Sequence, residues 1–200
     1  MRNDTATDPL PHAAWFPHVI DQLQGHWDHQ LRPRFDGLTD DEYLWEPVPG
    51  CWNLRPREES TTAMPAGSGR LIVDFAFPEP DPAPVTTIAW RLGHVIVGVL
   101  GMRNASHFGG PPMDYGTFEW AETATAALDQ LDAVYDRWIT AVRALGPDEL
   151  AAPIGQAEGQ YAAEPMIALV LHIHREVIHH GAEVALLRDL YRATDGRSLT

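Results

Sequence analysis

The amino-acid sequence predicts an all-α protein, a four-helix bundle with one long crossover between its first and second helices. Three observations carry this: four long segments with apolar residues at helical spacing, proline- and glycine-broken stretches between them, and a single short segment of β character. The first helix covers Trp15 to Leu31, where Trp15, Phe16, Val19, Ile20, Leu23, Trp27 and Leu31 recur at three- and four-residue intervals. Pro47, Pro49, Gly50 and Pro56 then forbid another long helix. Within this crossover Arg70 to Phe77 partly alternates and is rich in β-favouring residues, so a short strand or β-hairpin is expected there. After PEPDPAP, Thr86 or Thr87 can cap a second helix running through IAWRLGHVIVGVLGMRNAS. That helix is apolar on nearly all sides and should be the most buried. HFGGPPMDYG ends it, and a third helix is expected from Phe118 to Ala144, with Leu128, Leu131, Val134, Tyr135, Trp138, Ile139 and Val142 in helical register. Gly146, Pro147, Pro153, Gly155 and Gly159 mark a second connection, and a last helix is expected from Glu164 to Tyr191, with Pro165 acceptable in its first turn.

A chain of 200 residues that is 44% apolar can bury one sizeable core, so a single domain over residues 1–200 is expected. Fourteen basic against twenty-eight acidic residues give a formal charge of -14. That charge repels nucleic-acid phosphate and anionic membrane surfaces, so neither is an expected partner. Cys51 is the only cysteine, which excludes an intramolecular disulfide and a cysteine-rich zinc knuckle and fits a reducing compartment. MRNDTATDPLPH has no basic stretch followed by an apolar one, and the longest apolar run, Val95 to Met102, is too short to span a bilayer. A cytoplasmic location is expected. Cys51 itself reads as a partly buried structural residue. Trp45 and Trp52 should pack the crossover over the bundle end, Trp52 being a candidate pocket wall. Arg103, Asn104 and His107 read as residues that close the second helix.

In the last helix His172, Glu176, His180 and Glu183 follow one another by four, four and three residues and so share a face. Leu169 and Leu187 continue that face, and Val170, Ile173, Val177, Ile178 and Val184 flank it, so the polar row should turn partly inward. Polar groups placed there must be paired, hydrogen-bonded or metal-bound. Two ligands four apart on a helix can converge on one ion, with a third supplied by another helix. His94 is the candidate, one turn beyond Trp90 and close to Gly98 and Gly101. His94, Glu176 and His180 would suit Zn(II), Ni(II), Fe(II) or Mn(II) and leave a coordination position open for water or a small-molecule substrate. Spacing alone equally admits a core histidine at position 94, bonded to a tryptophan or a carbonyl, and a solvated row of intrahelical pairs on the last helix.

The helix order, WEPVPGCWNLRPR after the first helix, WRLGH (Trp90 to His94) and HREVIHHGAEVALLRDLY near the end together resemble the DinB-like superfamily. The resemblance implies a four-helix bundle and a metal held by one histidine of the second helix and two residues four apart in the last. These fall on His94, Glu176 and His180. Many members have histidine where this chain has Glu176, and the mycothiol-dependent maleylpyruvate isomerase branch is similar in using glutamate there. His179, three residues from Glu176, is the alternative to His180 if the helix is rotated. The activity implied is that of a thiol-dependent S-transferase or isomerase: the ion acidifies a low-molecular-weight thiol, and the thiolate attacks a small electrophile. His172 or Glu183 would then orient a ligand or shuttle a proton. The alternative is a non-catalytic helical binding or structural domain with a structural or vacant metal site. A homodimer is expected if apolar helix faces are left uncovered.

Overall fold

The computed structural model describes residues 11–199. The first helical stretch starts after Pro11 as α1 (His12–His26) and continues through a π turn (Trp27–Leu31) and a 3-10 turn (Arg32–Phe35). Its Phe16, Ile20, Leu23, Trp27, Leu31 and Phe35 form the expected apolar stripe into the core, with Trp27 stacked on Tyr135. A single-turn helix, α2 (Asp40–Tyr43), follows behind a capping box in which Thr39 and Glu42 satisfy each other's backbone N–H groups.

The crossover contains a small antiparallel pair, β1 (Leu54–Pro56) and β2 (Leu71–Val73), in the register Leu54 to Val73. The strand expected over 70–77 is therefore real but shorter. It stops before Phe75, whose backbone N–H and carbonyl are both taken by the Thr62 hydroxyl. Buried Asn53 and Asp74 tie the pair to the next helix. Asn53 Oδ1 accepts from Thr87 Oγ1 at 2.8 Å, Asp74 Oδ2 accepts from Arg55 Nε at 2.7 Å, and the Asp74 carbonyl accepts from Trp90 Nε1 at 2.8 Å. The crossover is thereby fixed against the first turn of the helix that carries His94.

That second helix runs unbroken over 88–108 as α3 (Ile88–His94), a π segment (Val95–Gly101) and α4 (Met102–Phe108), with Thr87 as its N-cap. All seven π residues are buried, as the sequence predicts for this helix. It ends at Gly109, at φ 62°, where the Gly110 N–H returns to the Asn104 carbonyl. The side chains of Arg103, Asn104 and His107 do not close the helix. Arg103 reaches back to the Gly98 carbonyl, five residues earlier, and out to Glu158, which also accepts from His107; Asn104 Nδ2 bonds the Val134 carbonyl on the neighbouring helix.

The third long helix, α5 (Ala124–Arg143), begins six residues later than periodicity suggests. Residues 118–122 stay outside any helix instead, with Trp120 buried and donating to the Ala66 carbonyl, and Thr123 supplies the cap. Short α6 (Pro147–Ala151) and a 3-10 stretch (Gln156–Tyr161) lead to α7 (Met166–Ala193), with Pro165 just outside its first turn. α7 packs against α1, α3 and the π segment. Among the described residues, no helix is long and apolar enough to cross a membrane.

Candidate metal centre

α3 and α7 run antiparallel, so residues early in one meet residues late in the other. His94, the last residue of α3, faces His180 of α7 with ring centroids 4.9 Å apart and planes at 85°. His180 is buried and its Nε2 lies 3.4 Å from Glu176 Oε2. The second oxygen of Glu176 lies 3.5 Å from His172 Nδ1. The structure thus places His180 between His94 of α3 and Glu176 of α7, with His172 one turn further along α7.

The outer nitrogens of both rings are occupied. His94 Nδ1 is 2.9 Å from the Tyr115 hydroxyl. His180 Nδ1 is 2.8 Å from Glu183 Oε2, and Arg91 Nε pairs with that same oxygen at 2.9 Å. Arg91 also comes within 3.3 Å of His180 Nδ1, but the shorter contact to a charged acceptor makes Nδ1 the donor to Glu183. Burial first, then the charges of His180, Arg91 and Arg103, pushes the pKa of His94 down to about 4, so its imidazole is neutral at physiological pH. A neutral imidazole on one helix facing a second imidazole that lies beside a carboxylate offers the kinds of donor that a divalent ion such as Zn(II) takes. The residues present fit such an ion. Among the described residues, the set whose ligand atoms all lie within 4.8 Å of one another is instead His179, His180 and Glu183, which lies on α7 alone.

Aromatic rings lead from the crossover to this point. Trp52 lies 5.7 Å from Trp90, and Trp90 stacks at 5.7 Å and 17° on His94. Trp52 lines a separate surface pocket with Arg55, Thr62 and Phe75, whereas Trp45 packs the bundle end, against Tyr191. A cavity of about 350 Å³ opens between α4, the 3-10 stretch and α7, lined by Arg103, Glu158, Tyr161, Leu169, His172 and Arg175; His172, beside Glu176, connects it to the histidine pair, none of whose members lines it. Cys51 is buried, its thiol donates to the Val48 carbonyl, and burial raises its pKa, so it is a structural residue as expected.

Three residues escaped the sequence reading. Tyr115 sits in the segment that reads only as a helix breaker. His174 is fully buried with neither ring nitrogen hydrogen-bonded, and its place in register with Val170, Val177 and Ile178 was the available sign. Arg188 is buried against Glu42, a partner 146 residues away that no local pattern indicates.

What fold and site together define is a helical bundle presenting two imidazoles and a carboxylate from neighbouring helices. The sequence matches the profile of the DinB superfamily over residues 22–184, and the chain belongs to that superfamily, which includes metal-binding helical proteins. No curated protein and no solved structure matches it.

Proposed function

We propose that the protein binds a divalent metal ion through His94, Glu176 and His180 and acts as a metal-dependent enzyme on a small molecule, as a thiol-dependent S-transferase or isomerase. The observation that supports the metal site is the approach of His94 to His180, with rings 4.9 Å apart and His180 Nε2 3.4 Å from Glu176 Oε2, while the Nδ1 atoms are engaged by Tyr115 and Glu183. The His179 set is disfavoured because His179 is largely exposed and Nδ1 of His180 already serves Glu183. A bound ion supplies Lewis-acid acidification of a thiol. This chain contributes the compartment: Arg103, His172 and Arg175 offer donors to a substrate in the cavity, and Leu169 gives it an apolar wall. The thiol chemistry itself rests on the resemblance in sequence.

The test is metal analysis of untagged protein and of folded His94→Ala, Glu176→Ala and His180→Ala variants, followed by turnover of small electrophiles with low-molecular-weight thiols. Near-stoichiometric metal in the wild type, lost in the variants, with thiol turnover that follows metal content, is expected. No uptake of Zn(II), Ni(II), Fe(II) or Mn(II) would overturn the reading. The intrahelical pairs His172–Glu176 and His180–Glu183 satisfy these side chains without an ion and favour a second reading, a non-catalytic bundle. That reading requires a melting temperature indifferent to chelator and no thiol turnover.

A further inference from the structure

We infer that the pocket walled by Trp52 and Phe75 in the crossover is a second ligand site, one that takes a small organic cation: a protonated amine on a flat apolar body. The site is separate from the metal centre and does not depend on it. Its cavity of about 310 Å³ opens between residues 50–52, residues 61–63 and the chain that follows β2, and is lined by Trp52, Arg55, Thr62, Asp74 and Phe75. Both rings are held through their backbones. The Trp52 N–H donates to the Val85 carbonyl at 2.9 Å and the Trp52 carbonyl accepts from the Thr87 N–H at 3.0 Å, while the Thr62 hydroxyl donates to the Phe75 carbonyl and accepts from the Phe75 N–H. The ring centroids stand 5.6 Å apart at 46°, so the two rings touch and make one aromatic wall, half-buried at Trp52 and exposed at Phe75.

Asp74 supplies the charge. Its side chain is only 9% exposed, and its Oδ2 accepts from the Asn53 N–H at 3.0 Å and from Arg55 Nε at 2.7 Å. Among the described residues nothing hydrogen-bonds Oδ1, which keeps its contact with solvent. Arg55 does not neutralise the group, because it is shared: one terminal nitrogen pairs with Glu46 Oε1 at 2.7 Å and the other donates to the Cys51 carbonyl at 2.9 Å. Two carboxylates thus meet one guanidinium whose nitrogens are all engaged, and the free valence of the pocket is a carboxylate oxygen. Such an oxygen, on a side chain so nearly buried, is stabilised by any donor that reaches it, most of all by a charged one. A protonated amine meets the requirement. Its N–H donates to Oδ1 while its body lies against the indole of Trp52, whose π face attracts a cation. An anion would face Asp74, and a neutral apolar molecule would leave Oδ1 unmet. The formal charge of -14 over the whole chain adds a field that draws cations to the surface.

The experiment titrates the whole protein with benzylammonium, benzyl alcohol and phenylacetate, which share a ring and differ in charge, and follows the Trp52 indole and Phe75 amide resonances by NMR. Benzylammonium is expected to shift both saturably, and the alcohol and the anion to bind about 10-fold or more weakly. Asp74→Asn keeps the shape of the side chain and should erase the preference for the cation. Phe75→Ala should weaken benzylammonium binding about 2- to 5-fold. Should Asp74→Asn fail to fold, the ranking of the three ligands on the wild type and the loss in Phe75→Ala carry the test. No saturable shift with benzylammonium, equal binding of the alcohol, or a folded Asp74→Asn protein with the preference intact overturns the inference. Tighter binding of Nα-acetyl-lysinamide than of benzylammonium overturns it too, by assigning the pocket to a lysine side chain of a protein partner. None of these readouts involves a metal, so failure here leaves the metal reading standing, and failure of that reading leaves this one.

Discussion

Two polar clusters lie on α7 about two turns apart, and they differ in how completely their valences are used. At Arg188 every guanidinium nitrogen is engaged. Its Nε and one terminal nitrogen grip the two oxygens of Glu42 at 3.2 and 3.1 Å, and the other terminal nitrogen donates to the carbonyls of Arg34 and Asp36. Glu42 also accepts from the Thr39 backbone. Burial alone would raise the carboxyl pKa of Glu42, but the hydrogen bonds from Arg188 and Thr39, with the charges of Arg188 and Arg192, hold it below its ordinary value. At His94 and His180 the hydrogen bonds go to Nδ1, and His180 Nε2 stands 3.4 Å from the Glu176 carboxylate, beyond hydrogen-bond distance for a tight pair. A saturated buried cluster joins elements; one with donor atoms to spare is where an ion or substrate has something to do.

The comparison can be broken at several points. Arg188→Ala leaves Glu42 buried without its partner and should cost about 3–5 kcal/mol in urea unfolding. The joint replacement Arg188→Met with Glu42→Leu should recover most of that loss, and Zn(II) affinity should be unchanged in the double variant. Loss of metal there would show that the two clusters are one unit. His94→Ala and His180→Ala should do the opposite, reducing metal affinity beyond the ~100-fold that removal of an outer partner brings, while the fold persists by circular dichroism.

His174 sharpens the contrast, being buried with neither nitrogen used. Burial, outweighing the opposing pull of the nearby Val19 backbone, lowers its pKa from 6.5 to about 4, so the folded protein binds fewer protons than the unfolded chain between those values. Its contribution is intact above pH 6.5 and lost as pH falls toward 4. Stability measured in urea should drop from pH 7 to pH 5, and in His174→Phe the drop should shrink by about 2 kcal/mol. An unchanged drop would mean that His174 is not the group responsible. The smallest effect is expected for Glu183→Gln, which keeps an acceptor for His180 but removes its charge. Metal affinity should fall about 10-fold, with the melting temperature little moved. A complete loss of metal in that variant would favour the His179, His180 and Glu183 set.

The sequence by itself determined the four long helices, because apolar residues at helical spacing must share a face wherever the chain folds. It also determined the polar row of α7, since residues three and four apart on a helix are neighbours whatever surrounds them. Pairing that row with His94 drew on family resemblance as much as on spacing, and the structure sets the rings 4.9 Å apart on adjoining helices. Other features were not legible. The π segment after His94 leaves no trace in a uniformly apolar run, because widening a turn by one residue changes which side chains align but not which are hydrophobic. β1 is three residues ending in Pro56 and gains strand character only from its partner. Residues 118–122 are apolar enough to continue α5, yet the Ala66 carbonyl takes the Trp120 indole N–H and the segment stays non-helical. The Glu42–Arg188 clamp and the Tyr115–His94 contact join positions that share no local periodicity. Only tertiary structure could decide them, because a hydrogen bond depends on distance in space and local spacing fixes that distance only within one element.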